Sequence, residues 1–248
     1  MIISPLEQFQ IIDLLSISIL DSYKLSLTNI GLYLIIVTFL IIAFMTLSKV
    51  NLLADKSSLI QEGIYDSVLS IVKDQIGNKN EKYFPFIFSL FVFILFSNLI
   101  GLIPYSFTPT SHIILTLSLS VAIWIGVTIL GIRLHKLSFF SLFVPVGTPL
   151  ALVPFLVIIE LISYTARALS LGIRLGANMI SGHILLKILS SFIWKLNSYG
   201  IGLAIIIGFI PMIIFTAIVG LELAVAIIQA LVFIILTSSY IRDAIYLH

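Results

Sequence analysis

The ionisable side chains of this 248-residue chain fall into a pattern along its two longest apolar stretches. Glu160, Arg167 and Arg174 are spaced seven apart. Seven residues fall about 20° short of two full helical turns, so the three form one stripe along a helix. Glu222, Gln229 and Asp243 fall on multiples of seven and form a second stripe. Asn197, Ser198, Gly200 and Gly202 mark a turn between the two stretches. A turn near residue 201 sets Arg174 opposite Gln229 and Glu160 opposite Asp243, and brings His183 within two residues of facing Glu222. That gives two polar clusters with a permanent positive charge between them.

The chemistry open to such groups is proton transfer. An ionisable side chain inside a membrane costs about 3 kcal/mol on insertion scales, and more by simulation. Arg174 cannot escape by deprotonation, because a guanidinium pKa lies above about 12. It needs a partner or a water-filled cavity. Glu222 and His183 exchange protons and can relay them, whereas Gln229 only hydrogen-bonds and orients. The plain alternative is that these groups bond across helices and fix the packing. Asn178, Gln229 and Arg167 fit that alternative about as well, while Arg174 and Glu222 together fit it poorly. Gly172, Gly176, Ala177, Ser181 and Gly182 surround the arginine region. They suit close helix packing, or a smooth face on which another subunit slides. Lys187 and Lys195 read as snorkelling anchors, and His112 as an interfacial residue beside a loop.

Composition decides what holds these residues. The chain is 60% hydrophobic and 10% charged. That charge cannot clothe a soluble core, and so much apolar residue excludes disorder. Net charge +2 gives no reason to expect nucleic acid as a partner. With no cysteine there is no disulfide framework or thiolate metal site, and the four histidines are not spaced as a metal cluster. The segment MIISPLEQF shows neither a secretory pattern nor arginine richness, and no internal repeat supports an inverted-repeat transporter. Of the 13 basic and 11 acidic residues, ten lie in 49–82.

A spanning helix needs about 20 apolar residues. The expected architecture is an all-α polytopic membrane protein forming a single membrane domain over 1–248. Its first transmembrane helix covers 27–48. An amphipathic surface helix covers 56–77, with Ile60, Ile64, Val68, Ile71, Val72 and Ile76 at helical spacing. Residues 83–132 lack charge and are broken by Pro104 and Pro109, giving transmembrane helices at 84–103 and 112–132. Residues 139–155 hold three prolines and read as irregular. A hairpin of two long helices, 154–195 and 203–241, follows. Each far exceeds the roughly 30 Å hydrocarbon thickness at about 1.5 Å per residue, so they are tilted or, in the second, divided by Pro211. Lysine and arginine in 49–82 and 133–138 orient those connections toward the cytoplasm-like side.

Ser170-Leu171-Gly172-Ile173-Arg174-Leu175-Gly176-Ala177-Asn178, followed by Ser181-Gly182-His183, resembles the signature of the a-subunit family of F-type ATP synthases. The stretch from Glu222 through Gln229 to Ser239-Tyr240-Ile241-Arg242-Asp243 matches as well. His183 with Glu222 is similar to the mitochondrial version, and SPLEQF, SLFVPVGTP and the terminal DAIYLH look fungal. The resemblance covers nearly the whole chain. It implies a stator subunit of the membrane sector, in the mitochondrial inner membrane, that lies against a rotating c-ring and contacts other membrane and peripheral-stalk subunits. It implies two offset proton half-channels. Arg174 would meet each ring carboxylate. His183, Glu222, Asn178 and Gln229 would belong to the path on the intermembrane-space side, and Glu160 and Asp243 to the matrix side. The transported ion would be the proton, and no cofactor is implied. No phosphate loop is visible, so nucleotide chemistry would occur elsewhere in the complex. Two other classes compete: a stand-alone ion-coupled transporter, and a purely structural anchor.

Overall fold

The computed structural model describes residues 5–19, 23–46, 56–103, 106–144, 152–198 and 201–246. Six helices dominate: α1 (Asn29–Thr46), α2 (Lys56–Ile76), α3 (Phe84–Gly101), α4 (Ile113–His135), α5 (Val153–Ser198) and α6 (Ile201–Ile245). The protein is an all-α polytopic membrane protein. Among the described residues, five stretches are long and apolar enough to cross a bilayer: Asn29–Thr46, Asn80–Gly101, Ile113–Ser141, Val153–Lys195 and Pro211–Ile245. α5 and α6, of 46 and 45 residues, extend to roughly 70 Å each at about 1.5 Å per residue. Pro211 lies inside α6 without ending it. Neighbouring groups can satisfy the backbone carbonyl that a proline frees in an apolar helix. Residues 199 and 200, where the turn was expected, lie outside the described residues, as do 145–151.

A 3₁₀ segment, Lys136–Phe143, follows α4 directly. It is entered through Lys136 at φ 53, and its Phe139 ring closes over Gly131 of α4. A side chain at Gly131 would collide with that ring.

One element was not anticipated. Two antiparallel strands, β1 (Asp13–Ile19) and β2 (Tyr23–Thr28), pair with Leu15 opposite Leu27 and Ile17 opposite Leu25. Ser16, Ser18 and Ser26 alternate with apolar residues, which is the period-two signal of a strand. Asn29, the first residue of α1, ties the segment before β1 to the helix, since its Nδ2 donates to the Gln10 carbonyl at 3.0 Å. A 3₁₀ turn, Pro5–Phe9, precedes the strands.

The described residues group into two compact units, and both long helices contribute to each. The first comprises Met1–Met45, Phe93–His112 and Gly176–Ala230. Its core includes Val37, Ile94, Asn98, Ile100, Phe107, Met179 and Ala226. Asn98, wholly buried on α3, donates its Nδ2 to the Ala226 carbonyl of α6 at 3.1 Å. The second comprises Thr46–Val92, Ile113–Leu175 and Leu231–His248. Val68, Val72 and Ile76 of α2 are buried there, with Ile87, Ile123, Leu171, Phe233 and Ile234. In this unit Gly172 permits a close crossing of α4 and α5, because a Cβ at that position would lie 2.5 Å from Ser120 Oγ and 2.9 Å from the Thr116 carbonyl. Small residues at such crossings are how membrane helices gain packing without a hydrophobic drive between them.

Large apolar side chains nonetheless stay outside. Phe39, Ile114, Ile158, Met212 and Leu221 are all exposed. In a soluble protein these would be patches without explanation, whereas hydrocarbon chains solvate them in a bilayer.

Candidate functional site

The first unit holds the titratable pair. α5 carries His183 and α6 carries Glu222, and Nδ1 of the ring lies 3.9 Å from Oε1 of the carboxyl. That is longer than a hydrogen bond and within ion-pair range. Glu222 is only 5% exposed, and neither of its oxygens has a hydrogen-bond partner among the described residues. Leaving a buried polar group unsatisfied costs about 1–3 kcal/mol, so packing alone is a poor reason for a glutamate here. Gly182 makes the approach possible: a Cβ there would lie 2.5 Å from Glu222 Oε1. The ring's other nitrogen, Nε2, is 3.0 Å from Thr108 Oγ1, and the edge of Phe9 packs against it at 6.4 Å between centroids. Asn178 and Gln229 belong to the same unit, each half-buried. Sequence reasoning had passed over Thr108 and Phe9. Neither is titratable, and both come from segments distant in the chain.

The second unit holds a permanent cation between two carboxylates. Arg167 Nη2 lies 3.6 Å from Glu160 Oε1, and Nη1 lies 3.5 Å from Asp243 Oδ2. Glu160 and Asp243, expected to face each other, are thus held through Arg167, which the sequence placed on the stripe and fitted about as well to bonding across helices. The Tyr240 hydroxyl donates to the Arg167 carbonyl at 3.4 Å. Tyr164 is 3.0 Å from Thr128 Oγ1 and packs on Trp124. Two cavities of ≈10 Å³ each flank Arg167, lined among others by Tyr164 and Tyr240. Each is about the size needed for a single water.

Arg174 differs from Arg167. Its side chain is exposed on α5, and none of the ion pairs among the described residues involves it. Along the same exposed face lie Ser170, Ala177 and Ser181, all small. Ile173, also exposed, is its large apolar neighbour in the chain.

Fold and site together define a multi-pass helical membrane protein that carries ionisable groups within its spans. The sequence model of the family described as ATP synthase A chain matches residues 28–242. Among curated relatives, ATP synthase subunit a of Trichophyton rubrum is 54% identical over 251 residues, covering 100% of this chain and 98% of the relative. That of Neurospora crassa is 51% identical over 250 residues, covering 100% and 95%. That of Saccharomyces cerevisiae is 48% identical over 252 residues, covering 100% and 97%. The chain belongs to the ATP synthase A chain family. It is accordingly a multi-pass membrane subunit of an ATP synthase.

Proposed function

We propose that the chain works as a single membrane domain of the mitochondrial inner membrane and forms the stationary half of a rotary proton path. Two offset half-channels are served by the two polar clusters, and Arg174 separates them. The observation that carries the reading is the contrast among three sites: a His183–Glu222 pair with a buried carboxyl, an Arg167-bridged Glu160 and Asp243, and an exposed Arg174 without an ion pair among the described residues. The fungal relatives support the location.

In this mechanism a proton enters from the intermembrane-space side and passes His183 and Glu222. His183 Nδ1 and Glu222 Oε1 lie 3.9 Å apart, within ion-pair range. Asn178 and Gln229 orient the route without titrating. The proton neutralises a carboxyl on a ring of c subunits, and the neutral carboxyl tolerates lipid where a charged one would not. After rotation the carboxyl releases its proton toward Glu160 and Asp243 on the matrix side. Once charged, it is drawn to Arg174. Because the guanidinium keeps its charge at any physiological pH, it repels protons and blocks a direct leak between the half-channels. One charge crossing 100 mV corresponds to about 2.3 kcal/mol, so several protons must pass for each nucleotide made. Other membrane and peripheral-stalk subunits hold the chain against the turning ring.

The test is proton flux in vesicles carrying the whole assembled complex with Arg174→Ala. Loss of ATP-coupled pumping with assembly intact is the expected result, and a passive leak in the same vesicles would identify the barrier. Normal coupled pumping would return Arg174 to a packing role.

A further inference from the structure

We infer that Thr108 is a positioning residue that fixes which nitrogen of His183 faces Glu222, an inference that rests on the reading of His183 as a proton relay. Thr108 lies just beyond α3, is 4% exposed, and has one hydroxyl proton to give. Its Oγ1 is 3.0 Å from His183 Nε2, and either atom can donate according to the ring's tautomer. The Gly101 carbonyl, at 3.5 Å from Oγ1, lies at the outer limit of a hydroxyl's reach and competes weakly for its proton. In either tautomer the contact keeps Nε2 turned to Thr108 and Nδ1 turned to Glu222, 3.9 Å from its Oε1. Nδ1 is thereby the nitrogen through which the ring exchanges a proton with the carboxyl.

The site is built for this contact. Gly101 closes α3 where any Cβ would run into the Thr108 side chain. Ser111 Oγ donates to the Thr108 carbonyl at 2.7 Å, and the His112 amide donates to the Pro109 carbonyl at 3.2 Å, so the segment is pinned behind the threonine. Phe9 limits the ring from its edge.

The groups that bear on His183 come from four elements. Glu222 of α6 is its ion-pair partner. The segment after α3 brings Thr108 and carries His112, whose ring stacks on Phe107 at 5.1 Å. The 3₁₀ turn at the start brings Phe9 and carries Glu7, and α5 itself carries Lys187 one turn on.

The experiment compares Thr108→Val, Thr108→Ser, His183→Ala and the Thr108→Val/His183→Ala double variant in the full assembled synthase. ATP-driven pumping and ATP synthesis are followed against pH on the intermembrane-space side. Thr108→Val should slow flux about three- to tenfold, the size of one hydrogen bond, and shift the pH profile. Thr108→Ser should restore both, and Thr108→Val should add nothing once His183 is gone. An unchanged rate and profile in Thr108→Val, with His183→Ala impaired, overturns the inference alone. So does a serine variant as impaired as the valine one. Normal pumping by His183→Ala overturns the relay reading itself, and the inference with it. If Thr108→Val fails to assemble, Gly101→Ala repeats the test from the other side, since its methyl must push the threonine off the ring. The same shift in profile supports the inference, and an unshifted profile overturns it.

Discussion

The two polar clusters solve opposite problems with similar residues. At His183–Glu222 the partners can each lose charge, the carboxyl is buried, and no hydrogen bond satisfies its oxygens among the described residues. At Glu160–Arg167–Asp243 a guanidinium that cannot lose its charge sits between two carboxylates, and all three side chains are partly exposed. The first arrangement suits the proton exchange proposed for it better than it suits packing. The second links α5 and α6 through one charge that cannot be lost, that of the guanidinium. Arg174 shares the chemistry of Arg167, is exposed, and takes part in none of the ion pairs among the described residues, which suits the role proposed for it.

The largest test of this contrast is Glu222→Gln. The amide keeps the shape and cannot titrate, so proton flux in assembled vesicles should fall by about a hundredfold or more. Flux within a few-fold of wild type would end the distinction between the clusters. Next is Gly172→Ala in the second unit. The added methyl meets Ser120 and the Thr116 backbone, and overpacking of this kind costs about 1–3 kcal/mol. A lowered thermal midpoint of the assembled complex is expected, and an unchanged midpoint would mean that α4 and α5 separate freely.

Arg167→Gln should be milder. Partly exposed pairs contribute up to about 1 kcal/mol each, and salt screens them. The variant's loss in thermal midpoint should therefore shrink at high ionic strength. A loss that ignores salt would make Arg167 a packing residue instead. The smallest effect concerns His112, which lies outside the spans. Burial lowers its pKa from the model-compound value of 6.5. The folded form then binds fewer protons than the unfolded one, so stability is full above about 6.5 and falls as pH drops below it. His112→Phe should flatten that acid-side fall in a thermal-melt series. An identical slope in both proteins would contradict it.

The sequence by itself determined the class, most helices and the two stripes. Hydropathy and the prolines at 104 and 109 delimit segments within a few residues of α3 and α4, because a bilayer leaves the backbone few other ways to be satisfied. The seven-residue spacing placed Glu160, Arg167 and Arg174 on one face because helical geometry is local. The alternation in β1 and β2 was also there to read, overshadowed by apolar content. What only the tertiary structure decided was partnership. Helical periodicity gives a side chain's direction around its own axis and says nothing of what another segment brings to it. Thus Arg167 and not Arg174 takes the two carboxylates, and Thr108, 75 residues away in the chain, reaches His183. Glu222 could be buried so closely because residue 182 has no side chain, a fact that acquires meaning only when the second helix lies against it.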